Sequence, residues 1–295
     1  MNNDAIGFVG TGRMGAPMAG HLLAAGEALV VHDVHPDAAR PLVERGALWA
    51  ASPVEVATRA RTIITIVPSS REVEAIYAAL LPKLGPGHLM LEMTTADPSS
   101  TRRLAKEVQA RGAAMLDAPV SGGVRGAVEA TLSIMVGGEA ADLERARPIL
   151  ARLGKKIFHV GGPGTGHAMK LVNNVTSAAC LVATAEAVVV ALRAGIDPAR
   201  AVEILSASSG RSNASEWKFP QFILTGRFDA GFAMALMRKD VDAFLRLAEE
   251  TGVDAPVATA AAEYFRRAVQ GELAGADHTA IVKLLGWPGG EGVRP

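Results

Sequence analysis

Strand-forming patterns run through the first 160 residues of this chain and then cease. Short apolar, often β-branched runs at Ile6–Val9, Ala28–His32, Thr62–Val67, Leu89–Glu92, Ala114–Asp117, Leu132–Val136 and Lys156–Val160 alternate with helical periodicity near 13–25, 36–45, 71–81, 98–111 and 139–152. Such alternation predicts a parallel sheet with helices packed across its faces. Past the turn Gly161–Gly166 the pattern from Ala168 to Ala194 is one helix, closed by Gly195 and restarted by Asp197-Pro198. Its 27 positions would extend roughly 40 Å at about 1.5 Å per residue. Further helices are expected near 198–208, 233–250, 255–269 and 277–286. The chain therefore reads as two domains. An α/β domain over 1–163 precedes an all-α domain over 164–295 built on a long interdomain helix. The tail Pro288–Pro295 is expected to be poorly ordered.

Gly10-Thr11-Gly12-Arg13-Met14-Gly15 directly follows the first strand and opens the helix Met14–Ala25. In that setting G-x-G-x-x-G is a dinucleotide fingerprint, and the α/β domain is expected to be Rossmann-type. The first glycine permits the tight turn, the second lets a pyrophosphate approach the backbone, and the third lets helix and sheet pack closely. N–H groups at the helix start, around Arg13 and Met14, would hold the pyrophosphate. Asp33 ends the second strand, 23 residues beyond Gly10, at about the spacing from which a carboxylate reaches the adenosine ribose. Its charge would repel a 2′-phosphate, which favours NAD over NADP. His32, His35 and Arg40 beside it could instead help hold that phosphate, and a plain strand-end role for Asp33 stays open.

Two further segments carry chemistry. Asp117-Ala118-Pro119-Val120-Ser121-Gly122-Gly123 follows another strand. The Ser121 hydroxyl and the unobstructed N–H groups of Gly122 and Gly123 form a donor nest suited to a carboxylate, although an ordinary turn has the same composition. Lys170 and Asn174 are four residues apart in the first turns of the long helix, so their side chains stack on one face. An ammonium beside a carboxamide can protonate and orient a substrate oxygen. Asn173 could share that face or merely bond backbone. With a dinucleotide site elsewhere in the chain, hydride transfer with lysine as acid/base fits both features. Lysine's ordinary pKa near 10.4 is too high for a base at neutral pH. Burial and a positively charged ring nearby would lower it, towards the value of about 7–8 that suits the task.

Composition closes off other classes. Thirty basic and thirty acidic side chains cancel, and no basic stripe marks a nucleic-acid partner. The lone Cys180 cannot close an intrachain disulfide, which favours a reduced, cytoplasmic setting. MNNDAIGFVG has no basic n-region and is not expected to be a signal peptide. Val175–Leu192 approaches membrane-span length but contains Thr176, Ser177, Thr184 and Glu186, so a buried soluble helix explains it better. The scattered histidines lack the company of a metal site. Neither a nucleophile elbow nor a P-loop is present.

Four segments, GFVGTGRMGAPMAGHLLAAG, DAPVSGG, GTGHAMKLVNN and GFAMALMRKD, occur in an order and spacing that resemble the β-hydroxyacid dehydrogenase family. The likeness extends from Ile6 to about Leu285. That family includes 3-hydroxyisobutyrate dehydrogenase, tartronate semialdehyde reductase and sulfolactaldehyde reductase. The resemblance implies a Rossmann-type domain, an all-helical domain, an active site in the cleft between them, and a homodimer or homotetramer. Position by position, it implies Lys170 as catalytic acid/base, with Ser121, Gly122 and Gly123 holding the substrate carboxylate and Asn174 binding substrate beside them. Phe232 and Asp240 match residues closing the far side of the cleft. Val67-Pro68 and Thr95 match positions lining the cofactor, and Lys239 a lysine that reaches it. The implied activity is reversible NAD-dependent hydride transfer between a small 3-hydroxy acid and its semialdehyde or oxo acid.

Some positions depart from the family pattern. His21 stands where asparagine is usual, Ala130 replaces a glycine, Glu92-Met93 occupies the place of Asp-Ser, and Glu72 that of an asparagine. These departures weaken an assignment to 3-hydroxyisobutyrate dehydrogenase itself. Imine reductases resemble the fold but generally lack the lysine, and non-catalytic scaffold relatives typically lose it. Arg125, Arg211 and the segment Ser208–Lys218 are candidate specificity elements.

Overall fold

Ile6–Val9 (β1) is buried along all four of its residues, as a strand covered on both faces must be. In the computed structural model, which describes residues 5–288, β1 lies inside a sheet that grows outward on either side of it. The elements follow in the order α1 Gly15–Ala24, β2 Leu29–His32, α2 Pro36–Val43, β3 Leu48–Trp49, α3 Pro53–Arg59, β4 Thr62–Thr65 and α4 Ser70–Leu80. Then come β5 Leu89–Glu92, α5 Pro98–Gln109, β6 Ala114–Asp117, β7 Val120–Ser121, α6 Gly123–Val128, β8 Leu132–Gly137, α7 Ala140–Leu150 and β9 Gly154–Gly161. The sheet order is β3-β2-β1-β4-β5-β6-β8-β7, with β9 on β8. Chain direction of growth reverses between β1 and β4, the switch point at which open α/β sheets bind ligands beyond their strand ends.

The sheet is not wholly parallel, which corrects the sequence expectation. Strands β1 to β6 run parallel, whereas β8 is antiparallel to both β6 and β7. Only residues 122–131 separate β7 from β8, and a parallel crossover needs about a dozen or more. The two-residue strands β3 and β7 and the short helices α3 and α6 were not anticipated, being too brief for a periodicity signal. For α3 a local signal existed: Ser52 Oγ accepts the Glu55 N–H at 3.2 Å, the capping pattern that precedes Pro53.

The chain divides into two compact units, Met1–Lys170 and Leu171–Pro295, so the boundary lies inside the long helix α8, Thr165–Arg193. Two apolar clusters fill the first unit, one on each face of the sheet's helical cover, with Phe8, Ile64 and Leu91 in one and Ile63, Met90 and Tyr77 in the other. Adjacent strand residues thus point to opposite layers, which is why the strands read as continuous apolar runs.

Past α8 the chain is helical: α9 Pro198–Ala207, a π-helical segment Ala214–Ile223, α10 Met234–Thr251, α11 Pro256–Gln270 and a 3-10 segment His278–Leu285. The π-helical turns were not expected; the tail expected to be poorly ordered, Pro288–Pro295, lies past Pro288 outside the described residues. Within α8, Ala178, Leu181, Ala185 and Val188 are buried at helical spacing and join Phe219, Phe265 and Ile281 in a third core cluster. By length and composition alone α8 would also suit a membrane. Its packed stripe gives it the character of a core helix.

Ala130, which replaces a family glycine, sits at φ 51°, in the left-handed region. A Cβ is disfavoured there by roughly 1–2 kcal/mol. Ala130→Gly relieves that strain and loses part of the gain to a more flexible unfolded chain. It is expected to stabilise by about 0.5–1 kcal/mol in urea denaturation, with an unchanged slope; destabilisation would contradict the strain.

Candidate active site

The nucleotide edge is built from the ends of β1, β2, β4 and β5. Asp33, just past β2, accepts the Thr11 N–H at 2.7 Å and the Thr11 hydroxyl at 3.3 Å through Oδ2, and the His35 N–H at 2.9 Å through Oδ1. The carboxylate thereby ties the glycine turn to the second strand. At Gly15, an added Cβ would strike the Gly10 carbonyl, so glycine is required for α1 to press this closely on the turn. Gly12 and Arg13 are exposed, and Met14 caps α1 without any side-chain hydrogen bond. The Val67 N–H donates to Thr94 Oγ1 at 3.0 Å, which shapes the loop carrying Val67 and exposed Pro68 beside half-buried Thr95. Glu72 on α4 accepts the Ser69 hydroxyl, and that bond above all lowers its pKa.

Asp117 links the Ser121–Gly123 loop to the helix that carries Lys170. Its Oδ1 accepts the Gly164 N–H at 2.7 Å and its Oδ2 the His167 N–H at 2.8 Å. These are N–H groups at the head of α8 that have no partner within the helix, so a carboxylate from 47 and 50 residues away caps it. This cap accounts for α8 beginning at Thr165 rather than at the expected Ala168. Asp117 also begins the segment that leads into β7 and the glycines. Gly122 and Gly123 adopt φ of 127° and 61°, conformations that favour glycine, and both are exposed next to half-buried Ser121.

Lys170 lies one turn beyond His167 and is 8% exposed; Asn174, one turn further, is 6% exposed. The Asn174 carboxamide is fixed at both ends: Nδ2 donates to Asp240 Oδ2 at 2.6 Å, and Oδ1 accepts from Asn173 Nδ2 at 3.1 Å. Asp240, also buried, pairs through Oδ1 with the Lys239 ammonium at 3.1 Å. The Phe232 N–H is held by Asp277 at 2.9 Å, and its ring meets His278 edge-on. Arg125 forms an exposed ion pair with Glu129.

Sequence reasoning missed three buried polar residues as a group, and named a fourth, Lys218, only as the end of the segment Ser208–Lys218. Asp117, His167 and Glu92 form a buried polar group, and a carboxylate inside a strand-end motif was the available signal. Lys218, in the π-helical segment, is 3% exposed and donates to Ser177 Oγ at 2.8 Å, with burial pushing its pKa down to about 8. The sequence places it in the candidate segment Ser208–Lys218 but gives no sign of its burial. Among the described residues no group of three or more His, Cys, Asp or Glu side chains is placed to hold a metal ion.

Two family models match the chain: the NAD-binding domain of 6-phosphogluconate dehydrogenase over residues 5–161, and the NAD-binding domain of NADP-dependent 3-hydroxyisobutyrate dehydrogenase over residues 164–285. The chain belongs to the β-hydroxyacid dehydrogenase family. It is 36% identical to 2-(hydroxymethyl)glutarate dehydrogenase of Eubacterium barkeri, over 95% of this chain and 94% of that one. It is 37% identical to 3-hydroxyisobutyrate dehydrogenase of Pseudomonas aeruginosa, over 95% of this chain and 97% of that one. The solved structure of Mycobacterium tuberculosis 3-hydroxyisobutyrate dehydrogenase with L-serine superposes with a TM-score of 0.91 at 33% identity, covering 96% of this chain and 99% of that one. The protein is accordingly an NAD-dependent hydroxyacid dehydrogenase.

The nucleotide edge of this dehydrogenase fits NAD. The first turn of α1 contains no acidic residue and no side-chain cap. The Ala16 and Met18 N–H groups bond the Gly12 and Met14 carbonyls and residue 17 is proline, so a pyrophosphate would have to be met by the turn ahead of Ala16. A Cβ at Gly12 would meet nothing within 4 Å, so a side chain there would project into open space at the turn. Gly12→Val is therefore expected to melt within about 2 °C of wild type while weakening NADH binding more than about tenfold in a fluorescence titration, as lost backbone approach to the pyrophosphate requires. Unchanged affinity would remove the turn from the cofactor site.

Proposed function

We propose that this hydroxyacid dehydrogenase interconverts a small 3-hydroxy acid and its semialdehyde or oxo acid, with Lys170 as the acid/base. The observation that carries the reading is a buried lysine in a helix turn anchored by Asp117 to the strand ends, with a fixed carboxamide one turn on. Bound NAD would supply the hydride acceptor for oxidation at the carbinol carbon, and its reduced form, NADH, the hydride donor for the reverse reaction.

The side chains supply the rest. In oxidation the neutral Lys170 amine takes the hydroxyl proton, and in reduction its ammonium gives the proton back to the developing alkoxide. Asn174 has one Nδ2 proton committed to Asp240; the second is available to hold the substrate oxygen in line. Ser121 Oγ and the Gly122 and Gly123 N–H groups fix the carboxylate, which sets which hydroxyl reaches the reacting position. Asp33 binds the adenosine ribose in addition to bracing the glycine turn, and Lys239, Val67, Pro68 and Thr95 line the cofactor. Phe232 and Asp240 complete the substrate wall. The names of the similar proteins, among them a hydroxymethylglutarate dehydrogenase and a 3-hydroxyisobutyrate dehydrogenase, support a 3-hydroxy acid. A cytoplasmic homo-oligomer is the proposed state.

Lys170→Ala is expected to lower turnover by roughly 10²–10⁴-fold with NADH affinity nearly intact. Wild-type-like turnover across a panel of 3-hydroxy acids, followed by NADH absorbance, would exclude the acid/base role. Asp33→Ala loosens the Thr11 turn for both coenzymes, so KM rises for each. The rise is expected to be several times larger for NAD than for NADP, and equal rises would refute the ribose contact.

A further inference from the structure

His167 lies one turn before Lys170, and the chemistry above does not use it. Its ring is fully buried between two carboxylates, Glu92 on β5 and Asp117 on β6. On one side, Nδ1 stands 2.7 Å from Thr101 Oγ1, while the Thr101 hydroxyl donates to the Asp97 carbonyl at 3.0 Å. A hydroxyl has a single proton, so towards the ring Thr101 only accepts and Nδ1 must carry a proton. On the other side, Nε2 is 3.0 Å from Glu92 Oε2. Both atoms are buried, and by hydrogen-bond geometry neither has a partner among the described residues, so this contact is a close charge pair rather than an aligned hydrogen bond. Two otherwise unpartnered buried atoms of this kind come so close favourably only as opposite charges, which places a proton on Nε2 as well. A ring protonated at both nitrogens is an imidazolium.

We infer that His167 is a resident imidazolium and a positioning residue for Lys170. It clamps the first turn of α8 to the ends of β5 and β6 and keeps a fixed positive charge one turn from the amine. This rests on Lys170 being the acid/base.

Burial by itself would strip the proton from the ring. Glu92 first, and then Asp117, outweigh that and hold the group above its ordinary value. The other polar neighbours leave this balance intact. Tyr77 on α4 is a buried phenol kept protonated by burial, then by Glu92 and Asp117. Thr94 beyond β5 meets the ring through its backbone, Arg102 on α5 is exposed near Gly164, and Lys170 follows on the same helix. Glu92 Oε1 is occupied by the Thr94 N–H at 2.8 Å, which aims Oε2 at the ring. Glutamate stands here in place of the family's aspartate, and its extra methylene extends the carboxylate's reach.

The sign of the effect on Lys170 follows from Coulomb's law. With the imidazolium present, a second cation nearby is disfavoured and the neutral amine is reached at lower pH. With a neutral side chain at 167, two carboxylates remain and the ammonium form of Lys170 is favoured. Stability carried by the ring's pairing is full below about pH 6.5 and is lost as pH climbs through the ring's own, higher value.

Two measurements on the full-length enzyme test this. In imidazole ¹⁵N–¹H spectra, the signals lost in His167→Gln identify the ring. They are expected to keep the doubly protonated pattern above the ordinary histidine range near 6.5. A neutral ring at pH 7 would overturn the inference whatever Lys170 does. In steady-state oxidation, His167→Gln is expected to move the pH midpoint of kcat upward by about 0.5–1.5 units, with the KM for NAD little changed. An unmoved midpoint would overturn the charge role. Should His167→Gln fail to fold, Glu92→Gln is expected to make the ring titrate at lower pH, and an unaltered ring signal would sink the pairing. Lys170→Met separates the two readings: if it keeps the wild-type pH midpoint, the acid/base assignment fails while the spectroscopic result still stands or falls alone.

Discussion

The Asp117 carboxylate at the head of α8 is the interaction on which the rest of this structure depends. A helix of 29 residues starts with N–H groups that nothing inside it can satisfy. Asp117 takes two of them from the end of a sheet strand, so the helix is fixed to the sheet edge at its first turn. Charge and geometry act together, because an anion is also favoured by the positive end of a helix dipole. One side chain thus couples the segment that carries Ser121, Gly122 and Gly123 to the segment that carries Lys170.

Burying that carboxylate creates an electrostatic problem of its own. Asp117 and Glu92 sit on neighbouring strands, and both are out of water. Two uncompensated charges in the interior would be costly. An imidazolium between them lowers that cost and makes the anchor tolerable. The arrangement contributes position more than stability, since a buried ion pair recovers little beyond its own desolvation. Rigid support of this kind is what an acid/base needs, because proton transfer falls off steeply with misplacement.

The second unit shows the same division between packing and polar fixation. Its core is set by a helical stripe on α8 together with Phe219, Phe265 and Ile281. A chain of polar contacts, Asn173 to Asn174 to Asp240 to Lys239, then locks the Asn174 carboxamide, one turn past Lys170 on the same helix. Lys218 departs from this economy. It is a buried ammonium held by a serine hydroxyl and a backbone carbonyl, and burial accordingly draws its pKa down.

The sequence by itself determined the order of strands and helices, the glycine turn, and the one-face stacking of Lys170 and Asn174. All of these follow from local periodicity and fixed spacing. It also marked Ala130 as an unusual occupant, though not its left-handed backbone. It did not reveal β3, β7, α3, α6 or the π-helical turns, which are too short or too irregular to leave a periodic trace. Nor did it reveal the antiparallel turn of β8. Glu92, Asp117, Thr101 and His167 lie up to 75 positions apart in the sequence, and only the tertiary structure decided that they meet. Their pairing arises from the stacking of β5 beside β6 and the docking of one helix end on both. No local rule encodes such a meeting, because it is a property of which elements share an edge.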